Sequence, residues 1–225
     1  MKCFDSATQA ASALALATAA ELRHDIETAG RASLVVSGGR TPIPLFSALS
    51  EQPLDWSRVS ITLADDRWVP ATDPDSNEKL VREYLMVGAA ASATFVGLVS
   101  DETREVDTAR ARLAGLHRPW SAVLLGMGSD GHFASIFPEL EDVQQLLSDD
   151  APELAITRPA NAPHDRVTMS LAALRASRLV ALFITGVSKR GVFEAAQQAD
   201  ASVAPPIRSL IDGTDLQVYY GAGGA

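Results

Sequence analysis

Again and again along this chain a short apolar run breaks off into a loop of glycine or charge, and a helical pattern follows. Ala32–Val36 runs into Ser37-Gly38-Gly39-Arg40-Thr41-Pro42. Val59–Leu63 runs into Ala64-Asp65-Asp66-Arg67, Ala122–Leu125 into Gly126-Met127-Gly128-Ser129-Asp130-Gly131-His132, and Leu179–Thr185 into Gly186-Val187-Ser188-Lys189. A strand that is apolar along its whole length must be covered on both faces, the condition of a parallel sheet between layers of helix. Strands alternating with helices therefore predict an α/β fold, a Rossmann-like, largely parallel sheet with helices on both faces. We expect the 225 residues to form a single domain over 1–225, because no linker or internal repeat divides them.

The remaining pattern is coarser. Ala15, Ala19, Leu22 and Ile26 recur at helical spacing with charges between them, which favours an amphipathic first helix over a signal peptide. Gly30 reads as its C-cap. Thr41 suits an N-cap and Pro42 the first position of a helix running to Ser50. Helices are expected over Glu78–Val87, Asp101–His117, Ser170–Ala176 and from after Arg190 to Ala199, with a helix or turn over Glu139–Leu147. Further strands are expected at Thr94–Leu98, Leu154–Thr157, Arg166–Met169 and Leu216–Tyr220, with a frayed tail over Gly221–Ala225.

Composition narrows the partners. The chain carries a formal net charge of −9, which argues against a nucleic-acid surface. No apolar segment is long enough for a membrane span. Cys3 is the single cysteine, and no Cys/His cluster has metal-ligand spacing. We expect a cytoplasmic monomer.

Each polar loop follows the carboxyl end of a strand, and in an α/β sheet those ends share one edge, where ligands bind. That edge would collect Ser37, Gly38, Gly39, Arg40, Thr41, Asp65, Arg67, Asn77, Gly128, Asp130, His132, Arg166 and Lys189. A strand, a Gly-rich loop and a helix N-terminus in succession present backbone N–H groups to a phosphate. Arg grips phosphate through paired hydrogen bonds and Lys as a point charge. The loop Gly126–Gly131 matches a dinucleotide-binding pattern by letter, but His132 and Pro138 stand where a crossover helix should begin. A purely structural glycine turn remains open at this point, as it does for Gly38-Gly39. If the loop is catalytic, His132 is the group suited to take a proton from water near neutral pH, Asp130 can orient its ring, and the Gly126–Gly131 backbone can offer N–H groups to an oxyanion. No nucleophile elbow is formed, since Met127 stands two residues before Ser129.

Taken together, Ser37-Gly38-Gly39-Arg40-Thr41-Pro42, Asp65-Asp66-Arg67, Ser76-Asn77, Gly126 to Pro138, Arg166-Val167-Thr168-Met169 and Thr185 to Lys189 resemble the 6-phosphogluconolactonases, within the superfamily of glucosamine-6-phosphate deaminases and isomerases. The resemblance implies hydrolysis of 6-phosphoglucono-δ-lactone to 6-phosphogluconate in the oxidative pentose phosphate pathway. It implies that His132 is the general base, that Asp130 supports it, and that no metal or organic cofactor is needed. Arg67 would stabilise charge near the lactone, while the Ser37–Thr41 loop, Arg166 and Lys189 hold the phosphate. Asp66 departs from the family's usual Glu, with little effect expected if it faces away from the substrate. His164 has no assignable role and reads as a surface residue. The C-terminus lacks the Trp and Asp common in the family, which puts closure of the last strand in doubt. The rival is a sugar-phosphate isomerase-deaminase of the same fold, whose loop usually carries an acidic residue after the His. Here the loop reads Ala134-Ser135-Ile136-Phe137-Pro138-Glu139, and the lack of an acidic residue inside it favours a lactonase. A sugar-phosphate-sensing module of a transcription regulator is the more distant alternative, but it would come with a basic DNA-binding segment that is not present in this sequence.

Overall fold

The computed structural model describes residues 1–99, 105–200 and 203–223. Its strands are β1 (Lys2–Phe4), β2 (Ala32–Val36), β3 (Val59–Leu63), β4 (Asp65–Arg67), β5 (Thr94–Val96), β6 (Ala122–Leu125), β7 (Leu154–Thr157), β8 (Arg166–Met169), β9 (Val180–Thr185) and β10 (Gln217–Gly221). The helices are α1 (Ala7–Ala29), α2 (Ile43–Ser50), α3 (Asn77–Tyr84), α4 (Val106–Leu113), α5 (Val143–Leu147), α6 (Leu171–Arg175), α7 (Gly186–Gln198) and α8 (Ile207–Gly213).

A seven-stranded parallel sheet carries the fold, in the order β1-β10-β9-β6-β2-β3-β5. Every residue of β2 and β6 is buried, Ser33 of β2 included, as strands covered on both faces require. From β2 the chain steps outward to β3 and β5, whereas from β6 it steps the opposite way to β9 and β10. Right-handed crossovers in opposite directions put their helices on opposite faces. Accordingly α1 packs on α2 and α2 on α3, while α5, α6, α8 and α7 pack in succession. The strand order thus reverses between neighbours β2 and β6, and a cleft opens beyond their carboxyl ends.

A second, antiparallel sheet of three strands, β4-β8-β7, stands beside this edge. The sequence reading took Asp65–Arg67 as a loop and expected one largely parallel sheet with no second sheet beside it, and both points are corrected. Residues 65–67 are too few and too polar to show a strand pattern. They are extended because β8 pairs with them, Arg166 opposite Arg67 and Thr168 opposite Asp65. Other corrections are local. Helix α2 starts at Ile43 with Pro42 as its N-cap and no capping side chain, so Thr41 is not the cap. Helix α3 starts one residue early because Ser76 caps it, its side chain accepting from the N–H of Lys79. Helix α7 starts at Gly186, which places Lys189 on a helix rather than in a loop. Strand β1 and helix α8 were not foreseen. The helix expected over Asp101–His117 is α4 in its described part, and residues 101–104 lie outside the described residues. The C-terminal strand closes between β9 and β1, with Gly221 paired to both. Gly221 is therefore not frayed, and residues 224–225 lie outside the described set.

Among the described residues, no helix is long and apolar enough to cross a membrane.

Candidate active site

The loops after β2 and β6 face each other across the reversal point and enclose a cavity of about 210 Å³. Ser37, Gly38, Gly39, Thr41, Asp65, Arg67, Asn77, Gly128 and His132 line it, together with Pro42, Gly126, Met127 and Ala134. Close approach explains the glycines. A Cβ on Gly38 would stand 1.9 Å from Asn77 Oδ1, and one on Gly128 would stand 2.2 Å from the His132 ring. Gly131 has φ 79° and carries Pro205 and Ile207 against its open side, and its carbonyl accepts from the N–H of Ile207 at 2.9 Å. The C-terminal segment therefore braces the loop, which nothing local in the sequence could signal.

His132 is held on several sides. Its Nδ1 lies 2.6 Å from Asp130 Oδ1, and the same carboxylate oxygen accepts from its backbone N–H at 3.3 Å. The Phe137 ring packs against the imidazole with centroids 4.2 Å apart. A carboxylate at Nδ1 selects the tautomer with its proton there and leaves Nε2 with a free lone pair. The N–H groups of Gly128 and Gly131 are engaged within the loop, with His132 and Gly128 carbonyls respectively. Those two amides are thus not available to an oxyanion, which corrects that part of the sequence expectation.

The carboxylates of β4 face different ways. Asp65 lines the cavity, and its Oδ2 accepts from Ser135 Oγ at 2.6 Å. Burial pushes its carboxyl up, against the pull of Ser135, Arg67, Arg166 and His132. Asp66 turns under α3. Its Oδ1 accepts from the N–H of Asn77 at 2.7 Å and of Arg67 at 2.8 Å, and Oδ2 from Glu78 at 3.3 Å. It thereby serves the unpaired N–H groups at the start of α3, a role that needs a carboxylate near the helix end. Burial pushes Asp66 up to about 7 in spite of these bonds.

The remaining expected residues lie around the cavity without lining it. Arg40 is exposed. Lys189 donates to the Met127 carbonyl, and its ammonium is pulled down by burial, with Asp130 opposing. Arg166 is 5 % exposed, sits opposite Arg67 on the β4–β8 ladder, and has Nη1 with no hydrogen-bond partner. Burial and then the Arg67 charge pull its guanidinium down. Arg67 donates Nη1 to the Asp75 carbonyl, and Asp75 Oδ2 lies 3.0 Å from His164 Nε2. His164, with φ 68°, is at the surface as the sequence suggested, and Asp75 is its partner there. Ser37 Oγ, at the cavity wall, is the other buried polar atom without a partner among the described residues.

A larger cavity, about 490 Å³, lies on the other side of α3, lined by Asp66, Glu78, Arg82, Phe95 and Arg112 among others. It holds no histidine. Arg82 is taken by Glu78 at 2.8 Å, and Arg112 donates to the Leu98 carbonyl at 3.3 Å. The smaller cavity has the groups that can do chemistry. Among the described residues no cluster of His, Cys, Asp and Glu is placed to hold a metal.

Comparison with known proteins bears on the same edge. Residues 5–219 match the family model described as glucosamine-6-phosphate isomerases/6-phosphogluconolactonase. The 6-phosphogluconolactonase of Neisseria meningitidis is 41 % identical over 224 residues, covering 96 % of this chain and 96 % of that protein. That of Pseudomonas aeruginosa is 38 % identical over 215 residues, covering 94 % and 90 %. The crystal structure of a 6-phosphogluconolactonase from Shewanella baltica superposes with a TM-score of 0.93 at 40 % identity, covering 99 % of this chain and 97 % of that one. With the parallel sheet, its reversal point and the full-length similarity all in agreement, this chain belongs to the glucosamine-6-phosphate isomerase/6-phosphogluconolactonase family.

Proposed function

We infer that the protein is a hydrolase that opens 6-phosphoglucono-δ-lactone to 6-phosphogluconate. The observation that carries this reading is the imidazole with a free Nε2 on the cavity wall, together with Arg166, whose buried Nη1 has no hydrogen-bond partner, on the strand that pairs with Asp65 and Arg67. Two arginines directly opposite on a ladder repel each other, and burying an unsatisfied cation is unfavourable. A phosphoryl dianion beside Arg166 supplies the acceptor that its Nη1 lacks. Ser37 Oγ and the backbone of Gly38 and Gly39 add neutral donors beside the N-terminus of α2.

With the phosphate anchored, the lactone carbonyl lies towards His132. Nε2 takes a proton from water as the water oxygen attacks C1. The tetrahedral oxyanion then collapses, the bond from C1 to the ring oxygen breaks, and the imidazolium returns the proton to that oxygen. Asp130 stabilises the charged ring meanwhile, as a hydrogen-bonded carboxylate does. Arg67 is the fixed cation for the oxyanion. Atoms balance with water as the one co-substrate.

The isomerase-deaminase alternative needs an acid-base set for ring opening and enolisation. The segment after His132 supplies Phe133 in the core and Phe137 on the ring, and no acid. A lactonase assay run beside a glucosamine-6-phosphate deamination assay decides between them. Lactone generated by glucose-6-phosphate dehydrogenase should disappear well above its spontaneous rate, with no ammonia released from the amino sugar. Ammonia release without lactone hydrolysis would reverse the assignment. The reading carries with it a cytoplasmic monomer, in keeping with a lone exposed thiol at Cys3. Sedimentation at a dimer's mass would contradict the monomer.

A further inference from the structure

One buried hydrogen bond outside the assigned residues leads into the cavity. Ser135 follows the catalytic loop, is 1 % exposed, and comes after Ala134 at φ 46°. Its backbone is fixed from the second sheet, since its N–H donates to Thr168 Oγ1 at 3.2 Å and its carbonyl accepts from Thr157 Oγ1 at 3.1 Å. Its hydroxyl donates to Asp65 Oδ2 at 2.6 Å. The Asp65 carbonyl accepts from Asn77 Nδ2 at 2.8 Å. Both ends of Asp65 are thus held, and Oδ1 has no hydrogen-bond partner among the described residues.

We propose that Ser135 is a positioning residue for the reaction: its hydroxyl keeps the Asp65 carboxylate ionised and turned so that Oδ1 accepts a hydrogen bond from a hydroxyl of the bound sugar. The inference rests on the lactonase reading for its substrate. Asp65 faces Arg67 on its own strand, Arg166 on β8 and His132 on the catalytic loop, with the Asp66 carboxylate beside it. Burial raises its carboxyl, and among the opposing influences Ser135 comes first. When a phosphoryl dianion neutralises Arg166, the support of that cation for the Asp65 charge weakens. The hydroxyl of Ser135 does not.

The test is kcat/KM for the lactone between about pH 6 and about pH 8 in Ser135→Ala, with the spontaneous rate subtracted. A carboxyl deprived of a donated hydrogen bond keeps its proton to higher pH, so the loss should be about tenfold near pH 6 and shrink towards pH 8. In an Asp65→Asn background, Ser135→Ala should add less than about twofold, since both changes act on one contact. Thermal melting reports folding separately, and Ser135→Cys, nearly isosteric but a weak donor, takes the same test if the Ala variant does not fold. A loss equal at every pH, or one fully additive with Asp65→Asn, overturns the proposal. A wild type without lactonase activity overturns the functional reading instead, so the two failures are distinct.

Discussion

Asp130 and Gly128 act on the same ring from different sides, one by a bond and one by leaving room. A methyl group at residue 128 would fall 2.2 Å from the imidazole and 2.4 Å from Asp130 Oδ1. Gly128→Ala should therefore turn the ring without disturbing the core. Misplacing a reacting group by about 1 Å can lower a rate about 100-fold, and kcat should fall by that order while the melting temperature holds. Steady-state kinetics with thermal melting checks this, and unchanged kcat would mean that the ring's present position is not needed. The candidate residues were legible because glycine, Asp and His in one short loop have few other reasons to coincide. Their partners were not. Ser135, Thr157 and Thr168 are ordinary small polar residues by composition, and only the tertiary pairing of β4, β7 and β8 gives them a task.

Strand β4 shows what an element hides when it is three residues long. Its residues gave a charge cluster and no periodicity, yet it places one carboxylate in the cavity, one under α3 and one guanidinium beside Arg166. Two predictions belong here. Arg166→Met removes a buried cation whose Nη1 has no hydrogen-bond partner, and its repulsion with Arg67, so the free protein should melt at a higher temperature. Its KM for the lactone should rise at least about tenfold, the loss expected of a charged contact. Inorganic phosphate should raise the melting temperature of the wild type and not of this variant, because a ligand stabilises only the state that binds it. Thermal scans with and without phosphate measure both effects, and a variant that melts lower and still responds to phosphate would contradict them. The second concerns Asp66, whose carboxyl is raised from 3.8 to about 7 in the folded chain. A carboxyl raised on folding contributes stability that is complete below its unfolded value and is lost as pH rises through its folded one. Asp66→Asn should therefore flatten the decline in stability between about pH 4 and about pH 7. Denaturant titrations across that range compare the slopes, and equal slopes would show that Asp66 titrates alike in both states.

At the level of the whole molecule, a chain of net charge −9 gathers Arg67, Arg166 and Lys189 around one edge of its sheet. That edge is where the strand order reverses, and the reversal follows from which strands neighbour which. The strands β2, β3 and β6 were legible residue for residue, because a strand buried on both faces is mostly apolar, and Ser33, Ser60 and Thr62 do not break the runs. The order of strands was not, since parallel pairing leaves no local mark in sequence. The same limit hid the antiparallel sheet, the edge strand β1 and the brace of Pro205 and Ile207 on Gly131. What the architecture delivers is one imidazole with a free Nε2 where a sugar-phosphate lactone would lie. The most direct test is lactone hydrolysis by His132→Ala against the wild type. Losing a general base lowers kcat by roughly 10²–10⁴-fold, and the account predicts a fall of that size with KM little changed. Near-full activity in the variant would contradict it.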